Sequence, residues 1–159
     1  LAGYATTADA YHLTDPEPSG RRQTAAVLEA LADAGIAPEA LDYVNAHGTS
    51  TPLGDQVEVR SLRAAVGDDV AERVAVSSTK SMHGHAMGAA GGIEGALAAL
   101  AIAEGAIPPT INLDDLDPAC AGVDHVAGTA RRTPVNTAIS SSFGFGGHNA
   151  VVAFRAVGA

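Results

Sequence analysis

The chain of 159 residues carries 9 Lys and Arg against 18 Asp and Glu, a net charge of −9 with histidine neutral. Apolar residues make up 47% and charged residues 17%, which excludes disorder, and with no basic cluster the chain offers no nucleic-acid face. The single cysteine excludes an intrachain disulfide and suits a reducing cytoplasm.

The length predicts one domain, residues 1–159, with a sizeable core. Aromatics are scarce at 4% and Trp is absent, so close-packed helices on a sheet are expected rather than an aromatic-filled barrel. The longest apolar-rich run, 87–103, is interrupted by glycines and by Glu94, which makes it a poor bilayer span, and no membrane association is expected. No signal peptide is visible. Leu1-Ala2-Gly3-Tyr4-Ala5 reads like the middle of a strand, so a preceding segment is expected.

In chain order, residues 1–8 predict an edge strand and 11–20, with Pro16 and Pro18, a loop. Gln23 to Ala34 predicts a helix with Val27, Leu28 and Leu31 inward and Gly35 at a left-handed cap. Pro38–Leu41 reads as a helical turn and 42–46 as a buried strand ending on His47-Gly48-Thr49-Ser50-Thr51-Pro52. A helix over 54–66 should bury Val59, Leu62 and Val66. The strand Val74-Ala75-Val76 then leads into Ser78-Thr79-Lys80-Ser81-Met82-His83-Gly84-His85. A helix over 88–104 has small residues nearly all round, with Ile93, Leu97, Leu100 and Ile102 as larger groups, and is expected to be buried on several sides. Pro108 and Pro109 stop it, and 110–130 reads mostly as loop. Strands over 137–142 and 149–154 flank Phe143-Gly144-Phe145-Gly146-Gly147-His148 as a hairpin. This succession is an α/β pattern, and the loops at 47–52, 80–88 and 143–148 all follow strand C-termini, the side on which open α/β sheets bind ligands.

Those loops hold the chemistry. His47 reads either as a satisfied strand-end side chain or as a donor aimed into a cleft, with the Thr49 and Thr51 hydroxyls beside it for a polar ligand. His83 and His85 form an H-x-H pair, but the one cysteine is distant and no carboxylate stands at ligand spacing, so no metal is expected and only one of the two should face the site. Lys80 and Glu94 meet if the turn folds onto the following helix. Such a pair orients the turn, and a lysine held near an imidazole disfavours the charged imidazole. The Phe143–Gly147 turn reads either as a plain glycine hairpin or as a mobile tip whose amide binds an oxyanion while Phe145 gates access. Gly88–Gly92 lacks the dinucleotide-binding spacing. Cys120 lies in an acidic loop after Asp114, Asp115 and Asp117, which disfavours a thiolate nucleophile. His12, His125 and His148 carry no companion signal and read as ordinary surface or loop residues.

Taken together, 44–52, 78–85 and 142–147 resemble the carboxy-terminal half of a β-ketoacyl-acyl-carrier-protein synthase, closest to the type II elongating enzymes of fatty acid synthesis. Pro108-Pro109-Thr110-Ile111-Asn112 and Asp9-Ala10-Tyr11-His12 extend the likeness over nearly the whole chain. The resemblance implies a thiolase-like fold, of which this chain is the second, βαβαββ half, with a mixed sheet covered by helices. It implies decarboxylative Claisen condensation of an acyl thioester with malonyl-acyl-carrier-protein, an amino-terminal half carrying the nucleophilic cysteine, and a cytoplasmic homodimer. No cofactor is expected, since phosphopantetheine arrives on the carrier protein. Carried onto this sequence, His47 and His85 resemble the catalytic histidines and Lys80 and Glu94 the supporting ion pair. Thr49 and Thr51 resemble pantetheine contacts, Phe145 the gate, and Phe143 a substrate contact beside it. His83 stands where many relatives have threonine, and Ser141 where many have asparagine. A polyketide ketosynthase, or a non-catalytic partner like the chain-length factors, shares much of this pattern. Retention of both histidines and Lys80 argues against the inert partner, and the lack of a C-terminal cysteine acid/base argues against degradative thiolase chemistry.

Overall fold

The computed structural model describes residues 1–158. It contains, in order, β1 (Gly3–Ala8), α1 (Arg21–Asp33), β2 (Tyr43–Asn45), α2 (Pro52–Val66), α3 (Asp68–Ala71), β3 (Ala75–Ser77), α4 (Lys80–His83), α5 (Ala90–Glu104), β4 (Ala106–Ile107), β5 (Asp124–His125), β6 (Arg131–Arg132), β7 (Thr137–Gly144) and β8 (His148–Arg155). Single 3₁₀ turns lie at Pro38–Ala40, Met87–Ala89, Pro118–Cys120 and Phe145–Gly147.

Six strands form one mixed sheet in the order β1-β8-β7-β2-β3-β5, and β4 pairs with β6 separately. The β1–β8–β7 side is antiparallel, whereas β7, β2, β3 and β5 run parallel. The parallel run brings the chain out of β2, β3 and β7 at the same sheet edge, and those exits carry His47, Lys80 and Phe143.

Strand periodicity sends alternate residues to two separate cores. Val44, Val76, Ile139 and Val151 face α1 and α2 and pack with Val27, Leu31 and Leu62. Tyr43, Ala75 and Ala138 face the other way, onto Ala98 and Ala101 of α5, with Ile107, Val126 and Val135. Each fully buried Val, Leu or Ile of this set contributes roughly 1.5–3 kcal/mol. The Asp42 carboxylate accepts the backbone N–H groups of Asn136 and Thr137, at 2.7 and 3.0 Å, and so ties the start of β7 to β2.

Several expectations need correction. Leu28 is 41% exposed, because α1 buries the narrower stripe Gln23, Ala26, Val27, Ala30 and Leu31. The left-handed Gly105 ends α5 before the prolines are reached. The segment 110–130 contributes β5 to the sheet, where a two-residue strand is too short to announce itself by periodicity. Most informative is α5. Only Ala90, Glu94, Ala98 and Ala101 are buried, one stripe rather than several sides, and Ile93 and Leu100 are exposed. Met87–Glu104 has the length and hydropathy of a bilayer span by composition. However, Glu94 at its centre is buried against the sheet in an ion pair, as a core helix requires and a lipid-facing one does not.

Candidate active site

His47 is the second residue beyond β2, and its chain neighbours Ala46 and Gly48 line a cleft of about 540 Å³. Its imidazole meets that of His85 edge to face, with ring centroids 5.6 Å apart, and that of Phe143 at 6.3 Å. The loop carrying it is held by Glu58 of α2. The Glu58 carboxylate accepts the N–H of His47 on one oxygen and that of Gly48 on the other, both at 2.8 Å. Burial pushes this carboxyl up to about 7, against the pull of those two amides. Burial, then the Lys80 ammonium and then His85, pull the His47 imidazole down to about 3, so it is neutral at ordinary pH. Its Nδ1 is buried without a partner among the described residues, which leaves Nε2 as the nitrogen able to serve a ligand.

Lys80 opens α4 directly after β3 and forms an ion pair with Glu94 of α5, with side chains only 4% and 0% exposed. Neither Lys80 Nζ nor either Glu94 carboxylate oxygen has a further hydrogen-bond partner among the described residues. The pair therefore compensates itself and joins the turn to the helix. Around it lies a buried polar layer on the α5 side of the sheet. Asn45 Nδ2 donates to the Glu94 carbonyl at 3.2 Å and meets Thr79 Oγ1 at 3.3 Å, and the Tyr43 hydroxyl pairs with Ser77 at 2.9 Å.

His85 is exposed to the cleft, and its Nδ1 accepts the N–H of Met87 at 3.3 Å. In the neutral ring the proton then sits on Nε2, free to donate. Met87 reaches that position with a left-handed φ of 52°, and Ser50 and Asn112, which line the cleft, are left-handed too, at 63° and 60°. Such conformations cost roughly 1–3 kcal/mol each and collect at sites that the surrounding fold over-determines.

Thr49 and Thr51 line the cleft with hydroxyls 3.4 Å apart, and Phe143, near the end of β7, lines it beside His47. Phe145 is placed differently. It occupies the turn after β7, is 69% exposed, and does not line the cleft. His83 and His85 point to different partners, as the turn between them requires. Cys120 lines the far part of the cleft but is buried, and burial together with Asp55, Asp117 and Glu58 pushes its thiol up. His125, read from sequence as an ordinary loop residue, sits in β5, lines the cleft and donates from Nε2 to the Cys120 carbonyl at 2.8 Å. No group of three or more His, Cys, Asp or Glu among the described residues is placed to hold a metal ion.

Sequence reading overlooked Glu58, eleven residues after His47 on an amphipathic helix. A buried-facing glutamate among Val57, Val59 and Leu62 was the available signal, because a carboxylate on that stripe needs donors.

The arrangement offers the neutral His47 imidazole packed against His85 of the cleft wall, with a self-compensated cation and the Thr49 and Thr51 hydroxyls lining the same cleft. That suits stabilisation of an oxyanion formed during reaction.

Comparison with known proteins points the same way. The family described as "Beta-ketoacyl synthase, C-terminal domain" matches residues 1–114. The chain is 52% identical over 155 residues to the 3-oxoacyl-[acyl-carrier-protein] synthase 2 of Synechocystis sp., covering 98% of this chain and 37% of that protein. Among solved structures, a β-ketoacyl synthase from Burkholderia phymatum matches with a TM-score of 0.89 and 37% identity, over 97% of this chain and 36% of that one. A type II polyketide synthase acyl carrier protein in complex with its ketosynthase matches with a TM-score of 0.93 and 36% identity, over 98% and 38%. The chain thus spans well under half the length of the relatives it matches, and it shares their thiolase-like ketosynthase fold. By sequence and by fold, the chain belongs to the β-ketoacyl synthase family and represents its C-terminal domain.

Proposed function

We propose that the chain supplies the decarboxylation apparatus of a 3-oxoacyl-acyl-carrier-protein synthase acting in fatty acid elongation. The observation that carries this reading is the pairing of neutral His47 with His85, centroids 5.6 Å apart, above the buried Lys80–Glu94 pair. In the reaction the bond from the malonyl α-carbon to its carboxylate breaks and carbon dioxide leaves. The electron pair moves into the thioester carbonyl, where the His47 and His85 Nε2–H groups stabilise the enolate oxygen. The α-carbon then attacks the acyl thioester on a cysteine supplied from outside these residues. A carbon–carbon bond forms and the carbon–sulfur bond breaks to release thiolate.

Thr49 and Thr51 receive the phosphopantetheine arm of an acyl carrier protein, and Phe145, at the exposed turn, gates entry through its mobility. The remaining partners are the amino-terminal half and a second copy of the protein, assembled in the cytoplasm. Cys120, buried and with its thiol pushed up, is no substitute for the acylating cysteine.

The test is His85→Ala in the intact protein, assayed for release of carbon dioxide from malonyl-acyl-carrier-protein. Loss of an oxyanion donor should lower the rate about 10²- to 10³-fold. A wild-type rate would remove His85 from the mechanism.

A further inference from the structure

His83 is absorbed by neither the cleft nor the ion pair, yet both its ring nitrogens are engaged. Nδ1 lies 2.7 Å from the carbonyl oxygen of Gly84, and Nε2 lies 3.3 Å from Thr79 Oγ1. A carbonyl only accepts, so Nδ1 carries a proton and donates it. The carbonyl in question belongs to the peptide linking Gly84 to His85. Thr79 is fully buried and meets Asn45, two residues before His47.

We infer that His83 is a positioning residue for His85: a side-chain clamp that holds the Gly84–His85 peptide in register with the strand end carrying His47. Three side chains, Asn45, Thr79 and His83, join the end of β2 to the carbonyl immediately before His85 without passing through the ion pair. The peptide needs such a restraint. Gly84 sits at φ 76°, with open space where a Cβ would be, so neither steric contact nor its own backbone preference holds it there. His85 is exposed, and its hydrogen bond to Met87 fixes the ring only relative to the same loop. The Gly84 N–H is tied to the Lys80 carbonyl at 2.8 Å, and the His83 clamp carries that restraint across the next peptide by joining its carbonyl to the buried Thr79 and Asn45. The clamp also accounts for the H-x-H spacing, since the His83 ring reaches the carbonyl of the peptide immediately before His85.

This inference rests on the proposed decarboxylation role of His85, and the experiment separates the two. In the intact protein, His83→Ala, His83→Asn and His83→Gln are compared with wild type for malonyl decarboxylation and, separately, for acyl transfer onto the nucleophilic cysteine. Asn keeps a donor at the Nδ1 position, whereas Gln reaches toward Thr79 without serving Gly84. H83A should lower kcat for decarboxylation about tenfold, the scale of a modest misplacement of a reacting group, with KM and acyl transfer unchanged. H83N should recover most of that loss and H83Q little of it. A wild-type kcat in H83A overturns the inference. So does an equal fall in both half-reactions with a lowered thermal midpoint, which marks a merely structural role. If H83A does not fold, the contrast between H83N and H83Q still decides, and equal kcat in those two overturns the clamp. A wild-type protein that does not decarboxylate malonyl thioester overturns the proposed function itself, and this inference with it.

Discussion

At His47, burial and a neighbouring ammonium cooperate to keep an imidazole neutral, and the consequence is measurable. The ring's ordinary value is 6.5 and its folded value about 3. Below about 6.5 the unfolded chain takes up a proton here that the folded chain does not, so stability falls as pH falls, by up to about 1.4 kcal/mol per pH unit from this group. Glu58 works in the opposite sense. Its folded value of about 7 against 4.5 makes the folded state the better proton binder between them, so this group favours folding more as the pH drops through that window. The two trends largely cancel between about 4.5 and 6.5. Urea unfolding of the intact protein and of His47→Gln across pH 4–8 should therefore diverge, with the variant gaining stability relative to wild type as the medium is acidified. Parallel curves would show that His47 titrates normally. The Lys80–Glu94 pair makes a second residue-level prediction. Removing either partner leaves a buried charge and should cost about 3–5 kcal/mol. The double variant Lys80→Met/Glu94→Gln should be less destabilised than the sum of the single changes, as read by a double-mutant cycle.

Among the elements, the three-residue strands β2 and β3 matter most. They are buried on both faces and lie parallel next to β7, so three short exits converge at one edge. The long antiparallel pair β7–β8 and the closely packed β1–α1 contact hold that edge rigid. Gly3 shows how close the packing is. A Cβ there would lie 2.5 Å from the Ala34 nitrogen and 2.9 Å from the Ala30 carbonyl oxygen, so α1 sits directly on the β1 backbone. Gly3→Ala should push α1 outward and cost about 1–3 kcal/mol, visible as a lower urea midpoint. An unchanged midpoint would show that the helix slides without penalty. Helix α5 is the reverse case, since it is held to the sheet by four small or buried positions and by the Glu94 ion pair, and leaves its larger apolar groups outside.

For the molecule as a whole, large apolar side chains are left exposed at Ile93 and Leu100 of α5 and in the turns at Met87 and Phe145. In the proposed function, that face of α5 and the cleft rim meet the half of the protein that brings the nucleophilic cysteine. The 159 residues expressed alone should accordingly show no condensing activity and should bind a hydrophobic dye more strongly than the intact protein does. Condensation by the isolated polypeptide would overturn this division of labour.

The residue order alone determined a good deal here: the α/β succession, the three loops at strand ends, and the motifs 44–52, 78–85 and 142–147. Each of these is local, because turn glycines, helix caps and short apolar runs act within a few residues. The hairpin from β7 to β8 and the span of α2 were legible for that reason. Tertiary structure decided what depends on distant partners. A two-residue strand such as β5 exists only through β3 beside it, and Leu28 is outside only because α2 covers a narrower face of α1 than its apolar count suggests. The role of Glu58 needs the α2 axis to pass beneath the His47 loop, and the partners of the two histidines of one short motif, the Gly84 carbonyl and Thr79 hydroxyl for His83 and the Met87 N–H for His85, were visible only in the folded chain. Hydrogen bonds such as that between Asn45 and Thr79, 34 residues apart, are set by packing, and no sequence spacing encodes them directly.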